Sequence, residues 1–262
     1  MKNSPALWFS LLCWALFLFN TAEAQTKKSN PVLNQWAESL KIDGRLEDWG
    51  DSLRYFNEST RFSFDIRNDE ETLYLAVKSR DPGNLSRILA RGISFSMNEK
   101  SKKDPGPTVV FPVIDRNLQT TKAAKPAPRD VKADQEQILS KLSKFNVKGF
   151  PDILDGAVSI SNSYGISTGA GFDDQNNFTV EIAVPFRLLE ITPGQQAIAC
   201  IIEINGVKQA RAAYDPNRNS PRGMYGYPTR DYRLDRRPPV NKQNEATGFR
   251  IDYPLSKNPN KN

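Results

Sequence analysis

The chain has 262 residues, with 36 Lys and Arg against 30 Asp and Glu, a net charge of +6 and a pI near 9.2. It contains no histidine and two cysteines, Cys13 and Cys200. Without histidine there is no Ser-His-Asp or Cys-His nucleophile system and no His-ligated zinc or haem, so chemistry falls to carboxylates, Lys, Tyr or a hard metal.

The first 24 residues read as a secretory signal peptide. Lys2 gives a basic start, Ala6 to Phe19 is almost wholly apolar, and Ala22-Glu23-Ala24 supplies small residues for cleavage before Gln25. The apolar run is shorter than the roughly 20 residues that cross a bilayer, and no later stretch reads as a membrane span. Leu12 stands before Cys13 where a lipoprotein has a small residue. With that segment removed, Cys200 has no partner for an intramolecular disulfide and reads as a buried hydrophobe within Ala197 to Ile202. Export without disulfides suits a bacterial envelope, so the chain is expected to be periplasmic or extracellular. A lead-in over 25–37, one domain over 38–255 and a tail over 256–262 are expected.

Within the domain, apolar residues recur at every second position. The pattern runs through Phe62/Phe64/Ile66, Leu73/Leu75/Val77, Ile93/Phe95/Met97 and Val109/Phe111/Val113. It returns at Phe178/Val180/Ile182/Val184/Phe186, Ile198/Cys200/Ile202/Ile204 and Phe249/Ile251/Tyr253. Period-two patterning predicts half-buried strands with intervening polar residues in water. Such strands with turn clusters between them predict an all-β fold, a two-sheet antiparallel, jelly-roll-like β-sandwich. One helix is predicted from about Val131 to Phe145, with Ile138, Leu139, Leu142 and Phe145 on one stripe and Asp130 as cap. A short helical turn is predicted from Asn84 to Leu89.

Two stretches lack periodicity, 115–130 and 210–245. Both are longer than an ordinary connection of about 4–6 residues, which makes them disordered or functional. The charge concentrates there: residues 98–133 carry a net +4 and residues 208–237 a net +5. Such basic loops serve solubility or contact with an anionic polymer or acidic partner. An exported chain without a recognition motif is not expected to bind nucleic acid.

Several acids invite a chemical reading. Asp43, in Ile42-Asp43-Gly44, is expected to bond nearby backbone N–H groups while Gly44 takes a positive φ. Asp69, Glu70 and Glu71 form an acidic, solvated turn. With Asp65 and Asp81 close in sequence, Asp65, Asp69 and Asp81 are the candidate calcium ligands, although no EF-hand spacing is present. Asp173-Asp174 before Gln175 reads as a hairpin turn. Glu181 lies on the strand face opposite Phe178, Val180 and Ile182, as a ligand contact or half of a cross-strand salt bridge. Tyr225 and Tyr227 are aromatic faces in the basic loop.

Ile42-Asp43-Gly44 leading to Trp49, the strand Leu73 to Val77 before Asp81, and Phe178 to Phe186 followed by Leu188-Leu189 together resemble the family 9 carbohydrate-binding-module and DOMON-like sandwich superfamily. The likeness spans roughly residues 38–205. The chain also looks like standalone exported proteins of Bacteroidetes type. The resemblance implies two packed sheets with ligand loops at a rim or on a concave face, aromatic residues clamping a sugar, and supporting calcium. It makes Trp36 and Trp49 candidates for stacking, although in the superfamily the tryptophan at the position of Trp49 serves mainly in packing. No pair of tryptophans stands at the platform positions.

Three readings of function result. The first is a non-catalytic module for carbohydrate or another small polar ligand, with Trp36, Trp49, Glu181, Tyr225 and Tyr227 as candidate contacts. The second is an envelope structural or partner-binding protein using the 210–245 loop. The third is a glycosidase with paired carboxylates, for which no spacing singles out a pair. A haem-binding variant ligated by Met97 or Met224 is remote without histidine.

Overall fold

Phe62–Asn68 and Thr72–Ser79, the second and third strands of the computed structural model, pair antiparallel so that Phe64 lies opposite Val77 and Ile66 opposite Leu75. The structure describes residues 36–37, 40–50, 52–99, 104–114, 130–189, 197–206 and 245–259. Among these residues the strands are β1 (Tyr55–Asn57), β2 (Phe62–Asn68), β3 (Thr72–Ser79), β4 (Ile93–Glu99), β5 (Thr108–Val113) and β6 (Lys144–Lys148). They continue with β7 (Gly156–Ser159), β8 (Ser167–Phe172), β9 (Phe178–Pro185), β10 (Ala197–Ile204) and β11 (Thr247–Pro254). One sheet has the order β1-β2-β3-β9-β8 and the other β11-β10-β4-β5-β6-β7. Every neighbouring pair is antiparallel. The fold is the expected antiparallel β-sandwich.

The inner faces carry the apolar sets seen in the sequence. Ile66, Leu75 and Ile182 align across three strands, as do Phe64, Val77 and Val180. They meet Phe95, Cys200, Ile202, Phe145 and Tyr253 in one buried cluster. Cys200 is fully buried, as expected, and burial pushes its thiol pKa up. Asn68 joins the sheets at one end. Its Oδ1 accepts Tyr253 Oη and Ser256 N, both at 2.8 Å, and its Nδ2 donates to Ser256 O at 3.1 Å.

Two expectations need correction. The outward positions of the inner strands are withdrawn from water, since all of β2 is buried and so are Ala76, Thr179, Glu181 and Ala183, while Phe56 and Ser167 on the flanking strands stay exposed. The cause is the chain over 40–50 and 52–54, which covers this face as a strap. Trp49 and Leu53 form a second buried cluster with Ala76, flanked by Leu40, Leu46 and Tyr74. An aromatic side chain of this kind removes ~150–250 Å² from water, worth roughly 4–6 kcal/mol by area.

The second correction concerns helices. The helix after Asp130, α2 (Val131–Leu139), stops well short of Phe145. Asp130 does cap it, accepting Lys132 N at 3.0 Å. Leu142 is buried from the following turn, and Phe145 is buried from β6, where it alternates with Val147. A stripe at helical spacing had run across a turn into a strand. The predicted turn at Asn84 is a full helix, α1 (Pro82–Arg91), with Asp81 as N-cap and proline in the first turn. Among the described residues, no helix is long and apolar enough to cross a membrane.

Candidate functional site

The strap begins at Ile42-Asp43-Gly44. Asp43 Oδ1 accepts the N–H of Arg45 at 2.9 Å, the local turn expected of it. Gly44 has φ +86°, and a Cβ there would stand 2.2 Å from the carbonyl carbon of Ala170. The neighbouring strand is equally reduced. A Cβ at Gly169 would lie 2.6 Å from Gly44 N, and one at Gly171 2.5 Å from Gly44 O. Backbone rests on backbone here, which only glycine permits. Thr179 Oγ1 adds a hydrogen bond to Gly44 O at 2.6 Å.

Glu181 is the centre of this contact. Its Oε2 accepts the N–H groups of Asp43 at 3.0 Å and Gly44 at 2.6 Å, and its Oε1 accepts Trp49 Nε1–H at 2.6 Å. One carboxylate therefore grips both ends of the 43–49 loop. Burial pushes the Glu181 pKa up to about 7, against the three donors that favour the charged form. A second buried polar centre lies two strands away on β2, with Ala76 of β3 between. Asp65 accepts Arg54 Nε at 2.9 Å and Arg54 Nη2 at 2.6 Å, and pairs with Arg67 at 3.3 Å. Arg67 places its guanidinium 4.9 Å from the centre of the Trp49 ring and donates to Trp49 O at 2.6 Å.

Above these anchors, the loop and the β8–β9 hairpin form the two walls of an open cleft of about 680 Å³. Gly44, Arg45, Leu46, Glu47 and Gly50 line one side, and Phe172, Asp173, Asp174 and Thr179 the other, with Lys78 between. The hairpin turn is the expected one. Asp173 Oδ1 accepts Gln175 N at 3.0 Å and Asn177 N at 2.8 Å, and Asn176 has φ +61°. Asp173 also pairs with Lys78 at 3.4 Å. Burial raises its pKa, but the donors of Asn177, Gln175 and Lys78 outweigh this and hold the carboxyl below the usual range. Phe172 packs tilted on Phe178, 5.2 Å between ring centres. Phe172 shares the inner face of the sheet with Phe178 and packs against the core, so the cleft offers carboxylate acceptors and a guanidinium donor on walls fixed from beneath, chemistry suited to a hydroxyl-rich ligand.

The residues singled out from sequence are not gathered there. Trp49 is buried beneath the loop in a packing role, with only a hydrogen bond to Glu181 and the Arg67 contact. Glu181 is neither a ligand contact on an exposed face nor half of a cross-strand salt bridge. The strap covers it and supplies three N–H donors. Trp36 is half-buried in an isolated parallel bridge with Asn68. Tyr225 and Tyr227 lie outside the described residues, as do 115–129 and 207–244.

The three candidate calcium ligands serve separate local structures. Asp65 neutralises two arginines. Asp69 closes the β2–β3 turn, accepting Glu71 N, Thr72 N and Tyr74 Oη at 2.8, 2.7 and 2.6 Å. Burial and Asp69 push the Tyr74 phenol up to about 12. Asp81 caps α1 through Gly83 N at 2.8 Å. Among the described residues, no group of three His, Cys, Asp or Glu could hold a metal ion.

Arg45, Glu47, Lys78, Phe172, Asp173 and Asp174 were not among the sequence candidates. Arg45 and Glu47 stand inside the Ile42–Trp49 motif, but nothing in their spacing separates them from ordinary exposed charges.

No family model and no curated protein matches this chain. Two solved structures do. A family 9 carbohydrate-binding module from Caldicellulosiruptor kristjanssonii in complex with cellotriose is 13% identical, with a TM-score of 0.33, over 66% of this chain and 75% of that one. A family 9 module from the same organism in complex with glucose is 12% identical, with a TM-score of 0.30, over 66% and 78%. Values this low transfer no ligand and no residue role.

Proposed function

We propose that this chain is an exported, non-catalytic binding module that takes a carbohydrate in the cleft between the 44–50 loop and the β8–β9 hairpin. The observation that carries the reading is the cleft itself: about 680 Å³, with Arg45, Glu47 and Asp174 exposed at its walls. Carboxylates accept sugar hydroxyls, and a guanidinium donates to them. The Glu181 and Asp65 centres support it by fixing one wall before any ligand arrives, which lowers the ordering cost of binding.

The test is a thermal-shift and calorimetric screen of the purified protein against soluble glycans, with Arg45→Ala and Asp174→Ala in parallel. The reading expects a saturable rise in melting temperature for at least one glycan, reduced in both variants. A flat response across the panel rejects it and turns attention to an envelope protein partner. Turnover of a glycan in the same tubes would instead make the cleft carboxylates catalytic.

A further inference from the structure

We infer that the cleft selects its saccharide by charge, preferring an amine-bearing sugar over a neutral one and a neutral one over an acidic one. The inference rests on the reading of the cleft as a carbohydrate site. It comes from separating the charges in the walls that are already used from those that are free.

Five charged side chains line the cleft: Arg45, Glu47, Lys78, Asp173 and Asp174. Lys78 is spent. Its side chain is 14% exposed, and its ammonium lies 3.4 Å from Asp173 Oδ2. Asp173 is spent as well, because its two oxygens also hold Gln175 N, Asn177 N and Asn177 Nδ2. The side chains of Arg45, Glu47 and Asp174 are exposed, and among the described residues they form no side-chain hydrogen bond or close ion pair, although the Arg45 charge also helps hold the Asp43 carboxyl below its ordinary range. What faces a ligand is two carboxylates against one guanidinium. An ammonium group on the sugar finds a free carboxylate, while a uronate meets two like charges across water of limited depth.

The whole chain argues the other way. Its net charge is +6, so long-range attraction alone would favour an acidic glycan. The local and global fields therefore predict opposite orders, and one experiment separates them.

That experiment measures affinity for cellotriose, a trimer of glucosamine and a short oligoglucuronate, at a pH where the amines are protonated and the uronates ionised. These share a pyranose scaffold and differ in charge. The expected order is amine over neutral over acid, with about fivefold per step at low salt, the size of one charge contact at ~4 Å in water. The steps shrink as salt is raised to about 0.5 M. Asp174→Asn and Glu47→Gln each narrow the gap between the amine and acidic sugars, and Arg45→Gln widens it. An acidic sugar that binds as well as the amine overturns the inference and leaves the cleft a carbohydrate site. Binding of none of the three overturns the inference, and a flat response of the wider glycan panel overturns the carbohydrate reading with it. Because all three positions are exposed, the variants fold with unchanged melting temperatures.

Discussion

The indole N–H of Trp49 donates to Oε1 of Glu181 at 2.6 Å across 132 positions of the chain, and both residues are buried. This bond joins the motif that opens the domain to β9, which lies between β3 and β8 in the five-stranded sheet. Replacing Trp49 by Phe keeps an aromatic ring over Ala76 but leaves Glu181 Oε1 without a donor. A lost hydrogen bond to a buried charged group costs roughly 2–3 kcal/mol. Urea denaturation of Trp49→Phe is expected to show that loss with an unchanged slope. Trp36→Phe, at a half-buried position, is expected to cost less than 1 kcal/mol or so. Equal costs at the two sites would remove the special role of Trp49.

The pH dependence of stability follows from the same carboxyl. Its pKa is about 7 in the folded chain against an ordinary 4.5. Between these values the folded state binds more protons than the unfolded one, so the contribution of Glu181 falls as pH rises and levels off above about 7. Below about 4.5 it is fully present. The difference amounts to about 3 kcal/mol at most. Unfolding free energies of the wild type and Glu181→Gln, measured from pH 4.5 to 8, isolate this group, because the other titrations cancel between them. The wild-type advantage over the variant should shrink across that range. If it grew instead, the three N–H donors would outweigh burial.

The sandwich was legible because its inner faces obey period two without interruption from Phe62 to Ile66 and from Phe178 to Phe186. Three other features were not. β8 reads Ser-Thr-Gly-Ala-Gly-Phe, with no apolar alternation, because Gly169 and Gly171 are kept small by Gly44, 125 and 127 positions away. Asp65, Arg67 and Glu181 look like the water side of their strands, since charge normally marks solvent. Their burial depends on a strap whose contacts are non-local. Phe145 sits where it continues a helical stripe from Ile138 and Leu142, and only the turn at 140–143 breaks it. The cleft was half visible: Asp43, Gly44 and the Asp173 turn were read correctly as local structure. The wall that Arg45 and Glu47 form against the hairpin exists only once the strap is docked.

Gly44 tests the docking directly. Alanine at this position suffers twice, from φ +86° and from a Cβ 2.2 Å from Ala170 C and 2.3 Å from Ala170 O. Neither contact is with a flexible side-chain end, so the strap must lift. Gly44→Ala is expected to cost more than ~3 kcal/mol, well above the ~1 kcal/mol of an ordinary positive-φ substitution. It should also weaken any cleft ligand, because Gly44 and Arg45 move with the strap. Hydrogen exchange would show faster exchange at Asp43, Gly44 and the Trp49 indole while β10 stays protected. Uniform loss of protection across both sheets would mean that the strap and the sandwich unfold as one unit.

Asn68 poses the last test, at the joint between the sheets. Its Oδ1 accepts Tyr253 Oη and Ser256 N, and its Nδ2 donates to the carbonyls of Asp69 and Ser256 at 2.8 and 3.1 Å. All four bonds need an amide: two accepted on one side and two donated on the other. Aspartate has the same shape but no donors, so it would face two carbonyl oxygens with a second acceptor atom in a buried site. The cost of such an unsatisfied buried charge is about 2–4 kcal/mol. Asn68→Asp is therefore expected to be destabilised at neutral pH and to recover as the pH falls toward 4, when a protonated carboxyl regains one donor. Asn68→Ala removes the partners at every pH and should show no recovery. If Asn68→Asp were as stable as the wild type at pH 7, the contact between Asn68 and the 253–256 segment would contribute little to holding the two sheets together at this end.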